Sequence, residues 1–155
     1  MALSKELQTG KAGEHLVCFD LISKGFNAFL SDQGLPFDLI LEHEGQIKRI
    51  QVKSCSFRGN GSRTKNIYKF NLRYGKHGRA LVLKNEVDIY AFVALDIKQI
   101  AYFSIEMLQV NGQTRQLLEL KTRSIDNPKR VYTNGTIRKG EVGRFVEDYP
   151  IEKLL

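Results

Sequence analysis

Apolar residues recur at helical spacing at the start of the chain and at strand spacing after it. Leu7, Val17, Cys18 and Leu21 fall on one side of a helix predicted over 4–24, with Gly25 in the position of a C-terminal cap. Gly10 and Gly13 weaken its first half, because glycine gives up the most backbone freedom on entering a helix. The apolar run 26–30 predicts a strand, the turn-rich stretch 31–36 follows, and 37–42 and 47–55 form a β-hairpin around Glu44 and Gly45. Segment 67–73 alternates, with Tyr68, Phe70 and Leu72 on one face and Lys69, Asn71 and Arg73 on the other. Residues 88–95 are almost all apolar, as in a strand buried on both faces, and 100–103 reads as its neighbour after a turn at Asp96. A short helix is expected to start within 104–110, and the last 35 or so residues are irregular, with turn formers at Asn127, Pro128, Asn134, Gly135 and Gly140. No internal repeat or low-complexity segment interrupts this order.

Length and composition fit one compact α/β unit spanning 1–155: 155 residues and 42% apolar content suffice for a single core. No apolar run approaches the roughly 20 residues that span a bilayer, and 1–13 lacks the apolar core of a signal peptide, so a cytoplasmic protein without a membrane partner is expected. Cys18 and Cys55 have no metal-ligand spacing, and His15, His43 and His77 are scattered as packing or surface residues would be. The net charge of +7 is unevenly spread. Segment 56–79 carries Arg58, Arg63, Lys65, Lys69, Arg73, Lys76 and Arg79 with no acid, and segment 121–144 carries Lys121, Arg123, Lys129, Arg130, Arg138, Lys139 and Arg144 against Asp126 and Glu141. Everywhere else acidic residues outnumber basic ones. Two basic segments on an otherwise acidic chain are the footprint of a surface that follows a phosphate backbone; a solvated basic face, or one that meets RNA or an acidic protein, is the alternative.

The candidate chemistry lies beside the first of these segments. A turn centred on Glu44 and Gly45 gives cross-strand partners whose numbers sum to 89, which pairs Leu41 with Lys48 and Leu39 with Ile50 and sets Asp38 opposite Gln51. Directly opposed side chains have Cβ atoms about 4.5 to 5.5 Å apart, so a carboxylate and an amide oxygen there can share one cation. Lys53 projects from the same face as Gln51 by strand alternation. On the helix, Glu14 falls in the series Leu7, Gly10, Glu14, Val17 and Leu21 and interrupts the stripe that must face the sheet. An ionised carboxylate against apolar surface costs several kcal/mol unless it is compensated, so Glu14 needs a cation, a hydrogen-bond network or a shifted pKa; the alternative to a functional role is a buried salt bridge with Lys53. Gly10 and Gly13 remove side chains beside it and let the helix backbone approach the sheet or a phosphate.

This order resembles a known family. A helix with Gly-Lys-Ala-Gly-Glu, a strand with Pro-Phe-Asp, a hairpin, a strand with Gln-Val-Lys-Ser, and then Tyr-Lys-Phe-Asn-Leu and Val-Asp-Ile-Tyr-Ala-Phe-Val are similar, over 11–107, to the PD-(D/E)XK nucleases. Among these the sequence looks most like the homing endonucleases encoded in bacterial group I introns, and more distantly like archaeal Holliday-junction resolvases and type II restriction enzymes. The resemblance implies a restriction-endonuclease-like core, a central mixed β-sheet flanked by helices with an αβββ start. It also implies a site-specific double-strand DNA endonuclease hydrolysing phosphodiesters with Mg²⁺, for which Mn²⁺ would substitute. Glu14, Asp38, Gln51 and Lys53 would be catalytic, with Asp38, Gln51, the Val52 carbonyl and Glu14 as metal ligands. The basic residues of the two segments would hold DNA, with Arg58, Arg63, Arg73 and Arg130 as candidate readers of guanine edges. One metal site per chain requires at least a homodimer to cut both strands, and the intron-encoded branch implies a tetramer. The departure from the pattern is Gln51, where the superfamily usually has Asp or Glu; an amide oxygen can still ligate a hard cation. A resolvase, a restriction enzyme and a catalytically inert DNA-binding module of the same fold are the competing readings.

Overall fold

A computed structural model describes residues 2–59, 67–74, 80–81, 86–123 and 144–155. Helix α1 (Lys5–Ser23) starts where Ser4 accepts a hydrogen bond from the Leu7 N–H at 3.2 Å, and it stops before Gly25, whose φ of 89° turns the chain back. The strands are β1 (Asn27–Leu30), β2 (Leu39–His43), β3 (Gln46–Cys55), β4 (Ile67–Asn71), β5 (Arg73–Tyr74), β6 (Ala80–Leu81), β7 (Ile89–Ala94), β8 (Gln99–Ser104), β9 (Gln109–Val110), β10 (Gln113–Thr114) and β11 (Leu117–Lys121). Short 3₁₀ helices occupy Ile105–Leu108, Val146–Asp148 and Ile151–Lys153.

The central sheet has the order β1-β2-β3-β7-β8 and is mixed: β3 and β7 run parallel, and every other neighbouring pair is antiparallel. The β2–β3 hairpin has the expected register, Leu39 with Ile50 and Leu41 with Lys48. Its turn places Glu44 at φ 51° and Gly45 at φ 76°, the pair of positive values that a two-residue turn matched to strand twist requires.

Alternation along β7 divides the core in two. Ile89, Ala91 and Val93 face α1 and pack with Val17, Leu21, Leu39, Leu41, Ile50 and Val52. Tyr90, Phe92 and Ala94 face the other way and pack with Phe103 and with a separate two-stranded sheet of β4 and β11, through Tyr68, Phe70, Leu118 and Leu120. The mixed sheet beside a helix is therefore present as expected, with a β-ribbon across its second face. Sequence pattern did not reveal β11, since its Leu118 and Leu120 read as a strand only once Tyr68 and Phe70 lie opposite them. Of the predicted basic surface, Arg63, Lys65, Lys76, Arg79, Lys129, Arg130, Arg138 and Lys139 lie outside the described residues, as does His77.

Candidate active site

Alternation along β3 turns Ile50 and Val52 into the core under α1, so Gln51 and Lys53 emerge from the opposite face beside Tyr90 and Phe92 of β7. The β2–β3 ladder closes at Leu39 and Ile50, and there the chain departs from the expected register. Asp38 donates its N–H to the Ile50 carbonyl at 2.8 Å, so Leu39 at the start of β2 and Asp38 just before it both address one residue of β3. A local two-against-one arrangement of this kind re-aims side chains at a strand end. The Asp38 carboxylate reaches forward: its Oδ2 accepts from Gln51 Nε2 at 2.6 Å and from the Val52 N–H at 2.7 Å. Asp38 and Gln51 thus meet as expected, through side chains and not as a backbone pair.

Burial of this cluster sets its electrostatics. Loss of water pushes the Asp38 carboxyl above the ordinary carboxylate range and the neighbouring Glu14 charge pushes it the same way, against the Val52 N–H and the Lys53 and Lys11 charges. Burial also pulls the Lys53 ammonium below the usual lysine range, opposed by the Asp38 carboxylate. A carboxyl and an ammonium both biased toward their neutral forms mark a site where charge is held at a cost.

Helix α1 brings Glu14 to the same cluster, with a side chain 17% exposed. The buried line on the helix runs through Gly13, Val17 and Leu21, and Leu7 is exposed, so the expected stripe through Leu7, Gly10 and Glu14 is displaced by one position. Gly13 lies on the sheet: a Cβ there would overlap Ser54 Oγ and sit 3.0 Å from Ser54 Cβ. Gly10 has open space around it. The alternative of a Glu14–Lys53 salt bridge is not what the structure holds; Glu14 Oε2 accepts from Lys11 Nζ at 2.7 Å, one helical turn away. Lys11 was not singled out from the sequence, although its place three residues before Glu14 on a helix was the available signal.

The donor set suits a hard cation. It offers the Asp38 and Glu14 carboxylates, the Gln51 amide and the Val52 carbonyl, which projects to the same strand edge as the Val52 N–H. Both donors to Asp38 converge on Oδ2, and among the described residues no hydrogen bond reaches Oδ1. Gln51 presents nitrogen to Asp38; a half-turn of its amide exchanges nitrogen for oxygen. No group of three or more His, Cys, Asp or Glu side chains fit to hold a metal occurs among the described residues, so any cation here rests on two carboxylates plus amide and carbonyl oxygens.

Of the candidate DNA contacts, Arg58 stands 3.7 Å from Asp96, which also accepts from the Tyr68 hydroxyl at 2.8 Å. Lys69 is 55% exposed on β4 and lies 3.6 Å from Glu119 of β11. Arg73 lies in β5. In the C-terminal segment, Arg123 forks onto Asp148 at 2.8 and 3.0 Å and covers the Phe145 ring at 3.9 Å.

The sheet order, the helix across one face and a polar cluster between the start of β2 and the middle of β3 define an α/β nuclease fold of the restriction-endonuclease type. The solved structure of a bacterial homing endonuclease, I-Ssp6803I, is similar to it with a TM-score of 0.67 at 16% identity, covering 94% of this chain and 88% of that one. The family model described as PD-(D/E)XK endonuclease matches residues 4–140, and the chain belongs to that family. No curated protein matches the chain.

Proposed function

We propose that this protein is a site-specific double-strand DNA endonuclease that works with Mg²⁺, or Mn²⁺ in its place, and serves as an intron homing enzyme. The observation that carries this reading is the part-buried Asp38 carboxylate, held between Gln51 and the Val52 backbone one strand position from Lys53, in a PD-(D/E)XK chain. The likeness to a homing endonuclease supports the homing role over a junction resolvase or a restriction enzyme.

Asp38, the Gln51 amide oxygen, the Val52 carbonyl and Glu14 would hold the divalent cation. Bound there, the cation lowers the pKa of a water and offsets charge that builds on the phosphate oxygens. Asp38 is prepared for that role by burial, since a cation restores the solvation its carboxylate has lost. Lys53 orients the attacking water and places positive charge against the phosphate. Its lowered pKa also shortens the step to the neutral amine, but the charged form serves the electrostatic role. Arg58, Lys69 and Arg73, with Arg63, Lys65, Lys76 and Arg79 and with Lys129, Arg130, Arg138 and Lys139, follow the DNA backbone. With one such site per chain, cutting both strands requires a homodimer at least; light scattering of the full chain in solution tests this.

The deciding experiment is metal-dependent cleavage of duplex pools that contain candidate intron-insertion sites. Wild type is compared with Asp38→Asn and Gln51→Ala, and binding is followed in Ca²⁺. Site-specific cutting by wild type, lost in Asp38→Asn while binding persists, is the expected result. A second reading, an inert DNA-binding module, draws on the Gln51 Nε2 contact that ties up Asp38; tight binding without cutting in Mg²⁺ or Mn²⁺ would establish it.

A further inference from the structure

Lys11 stands inside the candidate site without a part in the chemistry described above. Its Nζ lies 2.7 Å from Glu14 Oε2, a charge-assisted contact between residues one helical turn apart, so it forms with no rearrangement of the backbone. Lys11 and Asp38 also sense each other's charge. Because position 51 is an amide and not an acid, the cluster has two carboxylates, Glu14 and Asp38, matched by two ammonium groups, Lys11 and Lys53. The two lysines differ in freedom. Lys53 is drawn into the protein, whereas the Lys11 side chain is 38% exposed and has a four-carbon stem with solvent to withdraw into.

We propose that Lys11 is a resident counter-ion that competes with the divalent cation for Glu14 and thereby sets how tightly the site takes a metal. This rests on the metal-dependent reading given above. A divalent cation on either oxygen of that carboxylate would lie within a few ångströms of the Lys11 ammonium bonded to Oε2 and be repelled by it, so Lys11 opposes the cation at Glu14 for as long as it stays there. With glutamine at position 51 the site has one carboxylate fewer than the family pattern to overcome that competition, and the weight of Lys11 is correspondingly larger. Lys11 is in this sense a positioning residue: it holds Glu14 in the cluster when no cation is there and weakens the site for a cation by the same contact.

The test is Mn²⁺ binding to the full chain without DNA, followed by the electron paramagnetic resonance signal of free Mn²⁺. Wild type is compared with Lys11→Met, Lys11→Arg and Asp38→Asn. Lys11→Met is expected to bind Mn²⁺ about fivefold to tenfold more tightly than wild type, Lys11→Arg within about twofold of it, and Asp38→Asn to lose the site. Circular dichroism confirms that each variant is folded. Unchanged affinity in Lys11→Met, with Asp38→Asn still losing the site, overturns the role of Lys11 and leaves the metal site standing. Mn²⁺ binding that is absent in wild type, or indifferent to Asp38→Asn, overturns the metal-dependent reading and this inference with it.

Discussion

Asp38 and Lys53 show how one environment biases two opposite charges. Burial raises the pKa of the acid and lowers that of the base, and each is partly restored by the other. Such a pair is poor for stability; in the proposed reaction a divalent cation and a phosphate would supply the missing charge partners. Lys53→Met should therefore abolish cleavage, by about a thousandfold or more, while duplex binding in Ca²⁺ stays within about threefold of wild type. Equal loss of binding and cleavage would reduce Lys53 to a phosphate contact. In the sequence, Gln51 and Lys53 were legible on one face by strand alternation, and hairpin register brought Asp38 near Gln51 but not into the pairing that it predicts. The contact of Asp38 with the Val52 N–H was not legible, because it depends on the strand end where the backbone of Asp38 turns to Ile50.

The elements hold this cluster by close approach and by a clamp. Helix α1 meets β3 at Gly13, where a Cβ would collide with Ser54. Gly13→Ala should cost about 1 to 3 kcal/mol of stability, measured by denaturant unfolding, and Ser54→Gly in the same chain should recover part of it. Asp88 precedes β7 and grips the other end of β3. It accepts from the Arg49 N–H at 2.7 Å and from the guanidinium at 3.0 and 3.1 Å, and its own N–H donates to the Arg49 carbonyl at 3.0 Å. Burial raises the Asp88 carboxyl, but the Arg49 hydrogen bonds and charge outweigh it and hold the carboxyl below its ordinary value. A folded-state pKa that is lowered stabilises above the unfolded value, and the stability is lost as pH falls through the folded one. Asp88→Asn should therefore cost about 1 kcal/mol at neutral pH, after allowance for solvent screening of a part-exposed pair, and the difference from wild type should shrink as pH drops through the carboxylate range. A constant difference across that range would show that geometry and not charge is what Asp88 supplies.

At the scale of the molecule, one sheet with a core on each side separates structure from surface. The α1 face is apolar and closed, and the β4–β11 ribbon over the other face turns Lys69 and Asn71 outward while burying Tyr68, Phe70 and Leu72. With a net charge of +7, duplex affinity should fall linearly with the logarithm of salt concentration, and Lys69→Gln should lower that slope by about 1 without changing sequence preference. An unchanged slope would assign Lys69 to its ion pair with Glu119 alone. Arg123 differs, because it is clasped by Asp148 and Phe145, so its charge is spent on anchoring the C-terminal 3₁₀ segment.

What the amino-acid order determined by itself was local in origin. The helix with its Ser4 and Gly25 ends, the hairpin about Glu44 and Gly45, the outward face of 67–71 and the doubly buried β7 all follow from rules that span a few residues. So does the shared face of Gln51 and Lys53, while Asp38 joins them through its side chain and not through the predicted pairing. Three things waited for the tertiary structure: the partner of Glu14, the parallel pairing of β3 with β7, and the ribbon of β4 with β11. A carboxylate between a neighbouring lysine on its own helix and one across the sheet is assigned by distances that depend on how far the helix sinks toward the sheet. Gly13 decides that depth, and only the folded chain shows Ser54 waiting beneath it.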